Sequence, residues 1–176
     1  MSSLAFTDLA AVSGGLLVGR LVLGLLMAAH GTQKLFGWFR GHGLAGTGGF
    51  FESLGFRPGR AFATAAALAE VGGGLLVALG FLGPVGPALI ISVMIVAALT
   101  VHWGHGLLST SNGIEVPLLY AAGGLALALT GHGAYSLDAL LGIQSLWTLP
   151  VAWAAVGIGI VGGIANLLAR RSPATA

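Results

Sequence analysis

Apolar residues run almost unbroken through five stretches of the chain, roughly residues 14–38, 60–82, 85–104, 115–131 and 149–169. At about 1.5 Å per helical residue, each can cross a hydrocarbon layer about 30 Å thick. No strand pattern interrupts them, so the spacing predicts an all-α integral membrane protein. The polar exceptions are few. Arg20, His30, Gln33 and Lys34 fall within the first stretch, Glu70 lies mid-way along the second, His102 ends the third and Glu115 opens the fourth. At about 100° per residue His30 and Lys34 share a face, with Arg20 within roughly 80° of them further along the helix. A charge at mid-helix costs about 2.5–3.5 kcal/mol on insertion scales, against about 0.3–0.6 gained per Leu or Val. Such residues face a bundle interior by default, which predicts a polar core built against the first helix.

The connections are short. Gly83-Pro84-Val85-Gly86-Pro87 reads as a tight turn that makes the second and third spans antiparallel neighbours. Residues 40–59 read either as a Gly-rich loop or as an interfacial turn carrying Phe50, Phe51, Leu54 and Phe56. Asn112-Gly113-Ile114-Glu115 has the form of a capping box, with Pro117 tolerated in the first helical turn. Ser136-Leu137-Asp138 reads as the N-cap and acidic first turn of a short outer-surface helix, 137–142, while His132 and His42 read as loop residues. Around Glu70 the same face carries Ala63, Ala66, Ala67, Gly73 and Gly74, so a neighbouring helix can come close where the acid is buried. Gly15 with Gly19, and Gly159 with Gly163, are small-xxx-small pairs, the latter a candidate dimer contact.

Composition agrees with the pattern: 56% hydrophobic and 7% charged residues, with a mean hydropathy of +0.97, exclude an ordinary soluble domain. A net charge of +2 makes no nucleic-acid surface. The first apolar run has no preceding Lys or Arg and is interrupted by Arg20, so it reads as a retained span. Arg40, Arg57, Arg60, Arg170 and Arg171 fall on one side of a five-span protein, and Asp8 and Asp138 on the other. By the positive-inside rule this predicts an external N-terminus and a cytoplasmic C-terminus. Trp38, Trp103, Trp147 and Trp153 fall near span ends, at headgroup level.

The chain has no cysteine, which excludes thiol relays, thiolate metal sites and protein-held iron–sulfur clusters. Any redox chemistry must come from a bound cofactor or a partner. Haem would need opposed imidazoles, and only His30 with His102 or His105 comes near that arrangement, so neither haem b nor a metal centre is expected. What remains is a proton path or ligand pocket built from His30, Lys34, Glu70, His102, His105 and Glu115. Each has a plainer alternative: Lys34 can snorkel to the headgroups, and Glu115 can simply cap a helix.

The ordered motifs Arg20-Leu-Val-Leu-Gly24, His30-Gly-Thr-Gln-Lys-Leu-Phe-Gly37, Phe50-Phe-Glu-Ser-Leu-Gly55, Glu70-Val-Gly-Gly73, Val101-His-Trp103 and Glu115-Val-Pro-Leu-Leu119 resemble the DoxX family of small bacterial membrane proteins. The resemblance spans about residues 14–142. It implies a four-helix membrane core there, with the span at 149–169 as an additional fifth helix, in the bacterial inner membrane. The family takes its name from subunits of a membrane thiosulfate:quinone oxidoreductase, so the resemblance implies a quinone and other membrane subunits of a redox complex as partners besides the bilayer. Two readings follow. In one, Glu70, His30 and His102 relay protons, and Arg20, Lys34, Gln33 and Glu115 bind a quinone headgroup or a small sulfur oxyanion. In the other, the chain is a non-catalytic accessory subunit.

Overall fold

The computed structural model describes residues 2–171, with side chains from Leu9 onward; Asp8, whose side is predicted above, lies outside the described side chains. The chain forms α1 (Ser2–Phe36), α2 (Gly43–Ser53), α3 (Gly59–Leu79), α4 (Val85–Ala97), α5 (Glu115–Thr130), α6 (Leu137–Leu140) and α7 (Leu149–Leu168). Among the described residues, four segments are long and apolar enough to cross a membrane: Leu9–Phe36 of α1, α3, α4 with its continuation to His105, and α7. The fourth predicted span is present as α5 but is shorter, at 16 residues. It still runs the length of the bundle, because the chain enters it beside His102 and leaves it beside the α3–α4 turn, where His132 meets Asp138. The return is made by α7. Trp147, just before α7, covers Gly83 of that turn, and beyond its other end the Arg171 N–H donates to the Gly55 carbonyl at 2.8 Å.

Close approach of small residues sets the packing. A Cβ on Gly24 would lie 2.4 Å from the Gly74 carbonyl oxygen, so α1 and α3 touch backbone to backbone there. Met27, Val77, Ile90, Met94 and Leu127 fill the centre of the bundle. A second cluster of Ile91, Ala128 and Val156 joins α7 to the same body. Gly159 and Gly163 lie against Ala88 and Ser92 of α4, so this pair is used inside the chain and is not free for a dimer. Gly15 and Gly19 meet nothing within 4 Å.

Three local expectations change. The α3–α4 turn comes earlier than predicted, because Gly80 adopts φ 65° and ends α3, with Gly80 N–H on Val77 and Phe81 N–H on Leu76. Val85, Gly86 and Pro87 already belong to α4, where Pro87 lacks only a donor that the first turn would leave unpaired. Residues 43–53 are a helix and not a loop: aromatic packing overrides the low helix propensity of glycine, with Phe51 against Phe56 and Phe56 against Phe62 at 5.6 and 5.2 Å between ring centres. Asn112 and Glu115 make no capping box. Asn112 takes a left-handed conformation, and the Glu115 carboxylate instead accepts from the Ser109 N–H at 2.7 Å.

Candidate functional site

The bundle's polar core holds a Lys34–Glu70 ion pair. Lys34 emerges from the last turn of α1, and Glu70 from the middle of α3, where the small residues noted above let α1 close over it. Glu70 is 1% exposed, one carboxylate oxygen is bonded to Lys34, and the other is buried without a partner. An ammonium of opposite charge is what keeps a carboxylate tolerable at that depth. The snorkelling alternative for Lys34 therefore gives way to pairing.

The pair forms one wall of a cavity of about 290 Å³ between α2, α3, α4 and α7. Most of the lining is apolar: Phe50, Phe51, Phe56 and Phe62 on one side, Val93, Val96 and Val101 on the other, with Ala65, Ala66 and Ala69 leaving the space open. Beyond Ala97 the α4 backbone loosens into a π-helical turn, Ala98–His102, a deviation that recurs at functional sites. This turn brings Thr100, Val101 and His102 to the cavity. His102 Nδ1 is 2.8 Å from the Asn112 carbonyl, so the ring is held from behind. His105 does not share this wall, since the helix gives way to a tighter turn ending at Gly106.

The other sequence candidates lie elsewhere. His30 is exposed, hydrogen-bonded to Gln33 at 3.3 Å and edge-on to the Tyr120 ring at 5.9 Å. Gln33 donates to the Phe39 carbonyl and steadies the turn after α1. Glu115 opens α5, and its carboxylate ties that helix back to Ser109 of the α4–α5 connection. Tyr120 of α5, for which the sequence gives no signal, lies edge-on to His30 and within electrostatic reach of Glu70.

Arg20 does not join this site. It lies 14 positions before Lys34, about 21 Å along the helix, and is 2% exposed at the opposite end of the bundle. Its Nη1 would collide with a side chain on Gly80, and it lies within electrostatic reach of Asp138. Asp138 is 1% exposed and accepts from the Leu82 and Gly83 N–H groups at 2.9 and 2.8 Å and from His132 Nδ1 at 3.4 Å. The predicted Ser136 cap is present, its hydroxyl accepting from the Ala139 N–H at 3.2 Å, but Asp138 faces inward, and the loop reading of His132 is corrected by its burial at 4% exposed. Burial holds the His132 imidazole below the ordinary histidine range, against the opposing pull of Asp138 and with a smaller push from Arg20. These residues bind α1, the α3–α4 turn and the α5–α6 connection together.

The DoxX family profile matches residues 15–103, which carry Arg20, Lys34, Glu70, His102 and the aromatic wall. The inner membrane protein YqjF of Escherichia coli (strain K12) is 32% identical over 127 residues, 72% of this chain and 92% of that protein. No solved structure matches the chain significantly.

Proposed function

We propose, from the premise that this chain belongs to the DoxX family, that it is a multi-pass inner-membrane subunit associated with a quinone-linked oxidoreductase, and that its cavity takes up the quinone ring. The observation that carries this reading is an aromatic-walled, apolar chamber whose wall includes one half-buried ion pair. A quinone ring needs flat apolar faces around it and a few fixed polar partners for its oxygens, and a volume near 290 Å³ is at the small end of ligand pockets, suited to the ring with its tail left in lipid. Lys34 supplies a donor to a ring oxygen. Glu70 and His102 exchange protons with it, and Tyr120 and His30 continue the polar path beyond Glu70. Without cysteine the chain has no thiol relay, so electrons pass between the ring and a partner subunit. The name of the relative, an inner membrane protein, supports the location.

The test is to purify the full chain in mild detergent and quantify quinone in the lipid extract. Wild type retains quinone, and Ala66→Phe, which fills the cavity, loses it while remaining folded. A quinone-free wild-type protein from quinone-containing membranes sinks the reading. If that preparation instead carries a stoichiometric membrane partner, the accessory-subunit alternative, which the cysteine-free sequence also favours, takes its place.

A further inference from the structure

We infer that the junction between the α2–α3 turn and the end of α7 is a docking site for an anionic phospholipid headgroup, an inference independent of what the cavity holds. The chain has seven basic residues, and its single lysine, Lys34, is engaged with Glu70. The exposed cations are therefore all arginines, and two segments far apart in sequence bring three of them together. Arg57 lies in the turn between α2 and α3, while Arg170 and Arg171 follow α7. Arg170 Nε donates to the Leu54 carbonyl at 2.8 Å, with its guanidinium 5.7 Å from the centre of the Phe56 ring, and the Arg171 N–H donates to the Gly55 carbonyl at 2.8 Å. Gly55 permits this contact: its φ is 92°, and a Cβ there would lie 2.4 Å from the Arg171 carbonyl oxygen. Arg57 is thus two positions along from the residue that holds Arg171, and Arg60, exposed in the first turn of α3, extends the cluster. Among the described residues no ion pair engages any of these four arginines, and apart from the Arg170 Nε bond their guanidinium groups make no hydrogen bond. The acid nearby is Glu52, and one of its oxygens already accepts from the Gly59 N–H at 3.1 Å.

The position of this cluster selects its ligand. Gly59 opens one candidate span and Leu168 closes another, so the arginines stand where hydrocarbon gives way to headgroups. Leu168, two positions before Arg170, and Phe50, one helical turn before Leu54, are exposed and offer apolar contact to acyl chains. A soluble acidic protein has the complementary charge but no chains to meet these residues. The planar guanidinium fork matches a phosphate with two parallel hydrogen bonds and sheds water more readily than an ammonium. Each arginine near an anionic membrane surface contributes roughly a fivefold preference for it. Phosphatidylcholine offers the same phosphate with a compensating cation beyond it, so net charge separates it from phosphatidylglycerol. A lipid held by Arg57 and Arg171 together links the α2–α3 turn to α7 and reinforces the backbone tie between them.

The experiment follows, by fluorescence anisotropy, the displacement of a fluorescent phosphatidylglycerol from the full chain in detergent micelles, with unlabelled phosphatidylglycerol, phosphatidylcholine and glycerol 3-phosphate as competitors. Phosphatidylglycerol is expected to displace the probe about tenfold more effectively than phosphatidylcholine, with the difference shrinking at high salt, and glycerol 3-phosphate is expected to leave the probe bound. Arg57→Gln and Arg171→Gln, whose side chains make no bond within the fold, should each weaken phosphatidylglycerol binding about fivefold, whereas Arg40→Gln, an exposed charge outside the junction, should stay within about twofold. Equal displacement by the two lipids overturns the inference and leaves the arginines to an acidic protein partner. Displacement by glycerol 3-phosphate overturns it in favour of a soluble phosphate, and an equal loss in Arg40→Gln overturns it in favour of a diffuse basic surface. Should a junction variant lose its wild-type size-exclusion peak, the wild-type competition decides the matter. None of these outcomes bears on quinone retention, so the pocket reading stands or falls separately.

Discussion

At the scale of single residues, an ionisable group in an apolar helix announces that it has a partner but not which one. Insertion cost singles out Arg20, Lys34 and Glu70 from the sequence; Lys34 and Glu70 pair with each other, while Arg20 is buried with its Nε and Nη1 bonded to nothing among the described residues. Yet Lys34 finds its counter-charge 36 positions away and Arg20 faces Asp138, 118 positions away, at the other end. Periodicity along α1 put the two bases on nearly one face, and only depth along the axis separates them. Arg20 is therefore expected to act through stability. Arg20→Met removes a nearby positive charge from Asp138, which keeps its bonds from the Leu82 and Gly83 N–H groups and from His132, so the expected loss is about 1–3 kcal/mol. Its thermal unfolding in detergent should move down clearly, while the folded fraction keeps the ligand occupancy of wild type. An unchanged melting temperature with lost ligand would return Arg20 to the binding site where the sequence pattern put it.

At the scale of elements, the spans at 60–82, 85–104 and 149–169 were legible within a few residues because a membrane helix needs little more than length and apolarity, whereas α1 begins at Ser2, 12 positions before the predicted start at residue 14. The fourth, α5, was legible too, although its helix is short. The helix α2 was not, because its glycines argue locally for a loop and the aromatic wall that holds it is assembled from residues on both sides of the α2–α3 turn. The small-residue face of α3 was readable from its Ala and Gly spacing; its match on α1 was not, since in a chain with 31 glycines nothing local separates Gly24 from Gly19. Packing separates them. Gly24→Leu must drive α1 off α3, because even its Cβ would come within 2.4 Å of the Gly74 carbonyl, whereas Gly19 has open space around it. Size-exclusion profiles in detergent should show aggregation or loss for Gly24→Leu and a wild-type peak for Gly19→Leu. Similar behaviour of the two would mean that α1 and α3 do not touch as described.

At the scale of the whole molecule, the two ends of the bundle differ in charge, and by the positive-inside rule this difference predicts the orientation. Arg40, Arg57 and Arg60 are exposed at one end, and Arg170 joins them there by donating to the Leu54 carbonyl at 2.8 Å. At the other end Arg20 is buried beside Asp138, so it offers no free positive charge to the translocation machinery or to anionic lipid. The cavity with Lys34, Glu70 and His102 opens in the half of the bundle that carries the exposed arginines. The positive-inside rule predicts that this half faces the cytoplasm, where the proposed ring site would draw on cytoplasmic protons and cytoplasmic partners. Because the native chain has no cysteine, the assignment can be read with single thiols at the exposed positions Tyr135 and Arg57, one at each end. A membrane-impermeant maleimide applied to intact cells should label Tyr135→Cys and spare Arg57→Cys until the membrane is opened. The reverse pattern would turn the molecule over and move the ring site to the outer half, where any protons released on oxidation would leave the cell directly instead of returning to the cytoplasm.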